Sequence, residues 1–391
     1  MTIPANTRQQ AQDLLDFIDA SPSPWHAVAT CEQRLQAAGF ARLDETERWT
    51  LQAGDKRYVV RGDAAIIAFV VGSAALAESG LRIIGAHTDS PGLRIKPRPA
   101  EEVGGMVRLG VEVYGGPILA TFADRDLSLA GRVHVRTPDG FATRLVRFAD
   151  PLLRLPNLAI HMNREVNESG LKFNKQSELP LLLGVAEEGV KADARFRQPI
   201  AAALGVEPGD LLTWELNAYD TQKGSLWGTD SEFIANSQLD NLASCHAALS
   251  ALLATTAPAA TALCAFFDHH NIVDALARAV PLDEHARLHG LGNFDAFARP
   301  HKVAAVALLL GHAREFVLFR IQQLPEILGQ AVEFFQRGAN VHEVEAFMPR
   351  FAVNTGVVEL HERAARRGIV YINTGQHQTL LILAGQGGKV F

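Results

Sequence analysis

In IIGAHTDSPGLRIKPRP, Ile83 to Pro99, His87 and Asp89 stand two residues apart where an apolar run stops. A neutral imidazole can give one ring nitrogen to a metal, and a carboxylate nearby can fix the tautomer through the other or stand beside the metal-bound water. In NSQLDNLASCH, Asp240 sits at the mouth of an apolar helical stretch. A carboxylate so placed either caps the helix by accepting backbone N–H groups or bridges two divalent cations, with Asn241 beside it to fix its orientation. In CAFFDHHNIVDAL an apolar strand runs into Asp268, His269, His270 and Asn271, a strand-end cluster of candidate ligands or proton carriers. In LRLPNLAIHMNREVN, His161 follows another apolar run. Taken singly, each stretch has a plain structural alternative: a strand-end loop, a helix cap, or a surface histidine with its needs met. Short motifs match by accident often.

Positioning these groups requires a sheet whose strands end at one edge, which is where the ligand sites of open α/β folds collect. Apolar residues recur at helical spacing over 8–19 and 26–38, and strands are expected at Arg57–Arg61, Ala65–Val71 and Leu81–Ala86. From about Met106 to Leu216 short apolar runs alternate with Gly, Pro and Asp, the texture of a strand-rich unit. Afterwards a helix over about Asn241–Thr255 and a buried strand at Leu263–Phe267 restore an α/β texture. The expected organisation is a discontinuous α/β domain of residues 1–95 and 225–391, interrupted by a β-rich domain of residues 96–224. Toward the end, helices are expected at Ile321–Arg337 and Thr355–Arg367, then strands at GIVYIN and TLLILAG on either side of TGQHQ.

Bulk properties exclude several classes. With 391 residues, 48% hydrophobic and 20% charged, the chain can bury a large core in two or three domains. A net charge of -6 with no basic run carrying interleaved aromatics argues against nucleic acid as partner. The start MTIPANTRQQAQDLLDFIDASP has polar residues where a signal peptide needs a continuous apolar stretch, and no stretch reaches 18 uninterrupted apolar residues, so the expectation is a cytoplasmic protein without a membrane partner. Cys31, Cys245 and Cys264 lack CxxC spacing and read as buried reduced thiols.

Together AHTDSPGLRIKP, GVEVYGG, DRDLSLAGRV, LPNLAIHMNR, SELP and QLDNLASCHA, in this order over about residues 10–268, resemble the aspartyl aminopeptidases, dinuclear zinc metallo-aminopeptidases that remove acidic residues from peptide N-termini. The resemblance implies a zinc-exopeptidase-like α/β fold, a central mixed sheet flanked by helices, with an inserted β-rich domain that mediates assembly into closed homo-oligomers. It implies two zinc ions and peptide substrates. It makes His87 a zinc ligand, Asp89 the aspartate that orients it, and Asp240 the carboxylate bridging both metals. His161 matches a histidine that the family places at an active site across a subunit boundary, associated with zinc or in contact with substrate.

After residue 268 the resemblance breaks. The family reads Asp-His-Glu-Glu after the apolar strand, the first Glu acting as general base and the second as a ligand; here those positions hold His270 and Asn271. Histidine can accept a proton there, whereas the Asn271 amide is a weak neutral ligand for zinc. The other late candidates for the metal are Asp295 in NFDAFARPH and His377 in INTGQHQ. Two readings follow: a zinc aminopeptidase with a rewired last third, or an impaired relative that keeps the family scaffold and its assembly domain. Zinc content and turnover of an Asp-chromophore substrate separate them.

Overall fold

The computed structural model describes residues 4–268 and, beyond them, 304–307, 319–320, 325, 329, 331–332, 369–373 and 379–383. Two compact units emerge, one of Met1–Ile18, Ala27–Asp89 and Ser225–Phe391, the other of Asp19–His26 and Ser90–Gly224.

The chain opens with α1 (Ala5–Asp19), which buries Thr7, Ala11, Leu14, Leu15, Phe17 and Ile18 along one face, the 3.6-residue period read from the sequence. Helix α2 (Pro24–Ala37) begins where a serine precedes a proline. The Ser23 hydroxyl accepts the His26 N–H at 3.4 Å, while Pro24 has no N–H to leave unpaired. Next come β1 (Ala41–Arg42), β2 (Lys56–Arg61), β3 (Ala65–Val70), the single turn α3 (Leu76–Ser79) and β4 (Leu81–His87).

In the second unit lie β5 (Gly92–Val103), β6 (Met106–Tyr114), β7 (Leu127–Thr137), β8 (Gly140–Arg147), the short α4 (Val166–Ser169), β9 (Leu181–Val185), α5 (Ala192–Leu204) and β10 (Leu211–Asp220). These strands form one six-stranded sheet in the order β8-β7-β10-β5-β6-β9, antiparallel throughout. Alternation puts Leu127, Leu129, Val133 and Val135 of β7 on the inner face, where α5 adds Phe196 and Ile200 and the Phe196 ring meets Trp214 edge-on at 5.1 Å. Gly205 ends α5 at φ 65°, the left-handed position that glycine fills without a Cβ penalty. Since β5 starts at Gly92, the chain passes between units before residue 96.

The first unit resumes with β11 (Ser225–Trp227), β12 (Phe233–Ala235), α6 (Leu239–Ala254), β13 (Thr261–Phe267), β14 (Ala304–Ala307), β15 (Phe319–Arg320), β16 (Ile369–Asn373) and β17 (Thr379–Leu383). Its main sheet is mixed, in the order β1-β2-β3-β13-β4-β14, with β13, β4 and β14 mutually parallel. This is the expected α/β architecture with a mixed central sheet. The apolar TALCAFF run of β13 fits a strand covered on both faces, as parallel sheets require. Helix α6 is buried nearly all round, from Asn241 through Leu252, and joins α1, α2, β3, β4 and β13 in one core. GIVYIN and TLLILAG pair antiparallel as β16 and β17, as their apolar character suggested. The helix expected at Thr355–Arg367 lies outside the described residues, as does most of Ile321–Arg337. Among the described residues no helix is long and apolar enough to cross a membrane.

One acid-sensitive point sits in the second unit. His26 bonds the Ser23 hydroxyl through Nδ1 at 2.7 Å, and burial, then the Arg147 charge, push its pKa down to about 4. The folded state therefore binds this proton less readily than the unfolded chain, in which histidine titrates near 6.5. The contribution is complete above pH ~6.5 and disappears as pH falls toward 4, up to roughly 3 kcal/mol. Urea unfolding at pH 7.5 and 4.5 should show a large acid loss in the parent and a smaller one in His26→Gln. Equal losses would remove His26 as the cause.

Candidate metal centre

Strand β4 delivers His87 to the carboxyl end of the parallel trio, beside Phe267, its register partner on β13. Asp268, the next residue on that strand, is buried at the same edge. The opening residues of α6 come to the same place. Asp240 and Asn241 have non-helical φ/ψ, the peptide between them is cis, and the N-cap of α6 is Gln238 with no side-chain capping bond. Asp240 thus stands in an irregular mouth ahead of the regular turns of α6. Its Oδ1 lies 3.5 Å from His87 Nε2.

His87 is therefore held between two aspartates. Its Nδ1 bonds the Asp89 carbonyl oxygen at 2.9 Å, and Asp89 Oδ1 lies 3.4 Å from the same nitrogen. A proton on Nδ1 leaves the Nε2 lone pair facing Asp240, the tautomer a metal ligand needs. Burial, the largest single influence, pushes the His87 pKa down, but the hydrogen bonds and charges of Asp240 and Asp89 outweigh it and raise the value to about 10. Such surroundings favour positive charge at Nε2, whether carried by a proton or by a metal cation.

Do these donors fit zinc? Two ligands each ~2.0–2.1 Å from a tetrahedral ion lie about 3.3 Å apart. His87 Nε2 and Asp240 Oδ1, 3.5 Å apart, match that separation without rearrangement. The Asp240 side chain is 52% exposed, so its second oxygen can reach a further cation or a water. The pair fits as part of a centre. Among the described residues no group of three or more His, Cys, Asp or Glu side chains is arranged to hold a metal.

Of the other sequence candidates, His161 occupies an exposed turn of the second unit, in the loop between β8 and α4. His270, Asn271, Asp295 and His377 lie outside the described residues. The three cysteines are free and buried. Burial pushes the Cys31 thiol up to about 12, and the Cys245 and Cys264 thiols also go well above their ordinary value. They are protonated and inert toward metals and oxidants at neutral pH.

Sequence reasoning missed a second polar cluster on α6. His246 Nε2 bonds Asp13 of α1 at 2.6 Å, and Asp13 in turn takes both Arg34 nitrogens of α2, at 2.9 and 3.0 Å. The His246 bond foremost, then Arg34, hold the Asp13 carboxyl well below the usual carboxylate range against the opposing effect of partial burial. Three helices are tied at one point. The available signal was a histidine in an otherwise apolar helix, and its partner, 233 positions away, could not be inferred from spacing.

Comparison with known proteins identifies the family. The profile of the family described as aminopeptidase I zinc metalloprotease (M18) matches residues 17–277. A probable M18 family aminopeptidase 2 of Stutzerimonas stutzeri is 47% identical over 268 residues, covering 68% of this chain and 62% of the relative. Among solved structures, mApe1 of Chaetomium thermophilum superposes with a TM-score of 0.62 at 31% identity, over 68% of this chain and 64% of that one. The S. cerevisiae mApe1 dodecamer gives 0.58 at 25% identity, over 68% and 62%. The chain thus spans about three fifths of the length of the curated relatives it matches. With two thirds of its residues inside the family profile and the His87–Asp240 pair at the sheet edge, the chain belongs to the M18 family of zinc metalloproteases.

Proposed function

We propose that this chain is a zinc-dependent aminopeptidase that removes N-terminal residues, acidic ones by its resemblance to the aspartyl aminopeptidases, from peptides. The observation that carries the reading is the 3.5 Å approach of His87 Nε2 to Asp240 Oδ1 at the carboxyl end of β4. Zinc bound there supplies Lewis-acid polarisation of the scissile carbonyl and an activated water. His87 offers Nε2 as a ligand, and the Asp89 carbonyl and carboxylate hold its ring from the other side. Asp240 offers two oxygens, which suits it to bridge two ions. His270 stands where the family has its general base, and Asn271 where it has a carboxylate ligand. Asp295 and His377 are further candidates for the missing donors.

The six-stranded second unit is proposed as the assembly module, with His161 in its exposed turn reaching the site of a neighbouring copy. The dodecamer formed by S. cerevisiae mApe1 supports self-association. A cytoplasmic setting is supported by the three free thiols.

One observation favours a second reading, an impaired relative that folds and assembles without turning over substrate. The family match ends at residue 277, and where the resemblance to the aspartyl aminopeptidases calls for a Glu-Glu pair this chain has His270 and Asn271. Zinc content of the purified chain, measured beside hydrolysis of Asp- and Glu-chromophore substrates, decides between them. Metal with turnover establishes the peptidase; assembly with neither establishes the scaffold.

A further inference from the structure

We propose that Asn241 and Cys245 are positioning residues for the zinc ligand His87, holding both of its backbone polar groups from the helix that carries Asp240. The proposal rests on the reading of the His87–Asp240 pair as a zinc centre. The His87 N–H donates to Asn241 Oδ1 at 3.1 Å, and the Cys245 thiol donates to the His87 carbonyl at 3.3 Å. Asn241 stands in the irregular mouth of α6 and Cys245 in its regular part, and both reach the same residue of β4.

Sheet geometry sets the side on which His87 presents them. The Thr88 N–H bonds Phe267 O on β13. Backbone groups alternate sides along a strand, so those of His87 point the opposite way. Among the described residues β14 pairs with β4 from Ala304–Arg82 to Ala307–Gly85. Buried backbone N–H and C=O groups take a hydrogen-bond partner from strand, side chain or water. At His87 two side chains of one helix take that part.

The consequence concerns the metal. Asn241 is the covalent neighbour of Asp240, so one peptide link and one hydrogen bond connect the two ligands' backbones. Without that bond, the separation of Nε2 from Oδ1 would depend on the packing of a whole helix on a whole sheet. Partners that orient metal ligands in this way are typically worth ~10–100-fold in metal affinity.

The test uses the full chain in four forms: parent, Asn241→Ala, Cys245→Ala, and Leu252→Val, a buried position on α6 that none of these bonds involves. Zinc affinity is measured by chelator competition, the visible spectrum is recorded with cobalt(II), and deuterium exchange of peptides covering 83–92 is followed in chelator. Asn241→Ala and Cys245→Ala should each lose about 10–100-fold in zinc affinity, alter the cobalt bands and, in the Asn241 case, speed exchange at 83–92. Leu252→Val should lower the unfolding midpoint and leave the other three readouts at parental values. Zinc affinity within twofold of parent and an unchanged cobalt spectrum in both site variants would overturn the proposal, as would an equal affinity loss in Leu252→Val. A parent that takes up no zinc would instead overturn the zinc-centre reading, and any faster exchange would then report a purely structural clamp.

Discussion

Asp240→Asn is expected to cost the chain at least ~100-fold in zinc affinity, beyond the range seen when a ligand's supporting partner is lost, while leaving its folding nearly unchanged. Two properties of the site set these opposite outcomes. The side chain is half exposed and the isosteric amide keeps its shape, so the change removes little that holds the fold together; surface changes of this kind usually fall within ±0.5 kcal/mol. For a dication the same change is severe, since a carboxylate that neutralises charge becomes a weak neutral donor. His87 also loses one of the two acidic partners that favour positive charge on its ring. Zinc per chain after dialysis against a graded chelator series, read beside the thermal midpoint, checks both halves. Zinc retention equal to the parent would mean that Asp240 is not a ligand, however close it stands to His87.

The fold was legible in the sequence where period and punctuation agree. The apolar face of α1 and the Gly- and Asp-broken strands of the second unit have patterns that point to one element type, and the β13 run is short enough to favour a strand over a helix. The pairing of His87 with Asp240, 153 positions apart, was legible only because each residue sits at an element mouth and each matches a family motif. What stayed hidden was the hydrogen bonding that is specific to the assembled core. Asn241 was expected to orient its neighbour Asp240, yet its oxygen takes the His87 backbone N–H. Cys245 read as an inert apolar thiol, and burial does keep it protonated, but that proton is placed on the His87 carbonyl. A hydroxyl, thiol or amide has no periodic signature for its partner; that is decided by which backbone groups the sheet leaves unpaired, and strand endings are set by tertiary packing.

The substitutions at 270 and 271 carry the second large expectation: His270→Glu with Asn271→Glu should raise zinc per chain and increase turnover of an Asp-chromophore substrate. The two positions are expected to act separately. Asn271→Glu supplies charge, and the proposed centre, with the His87 imidazole and the Asp240 carboxylate as its donors, is short of anionic ligands; its effect should appear first as zinc content. His270→Glu restores the residue type that the aspartyl aminopeptidases resembled here use as general base, and general-base assistance is typically worth ~10²–10⁴ in rate. An imidazole performs that task poorly there, because the field of a dication favours its neutral, metal-ligating form and draws it toward the ion as a further ligand. The rate gain should therefore need both changes, while the zinc gain should need only the second. A parent that already holds two zincs and turns over at a rate ordinary for peptidases would end the impaired reading, and the missing donors would then belong to other residues of 269–391. Should the double variant gain neither metal nor rate, the deficit extends beyond these two positions. The chain would then hold the His87–Asp240 half of a metal site on an M18 scaffold, and its selectable property would be assembly through the second unit, with no catalysis to preserve.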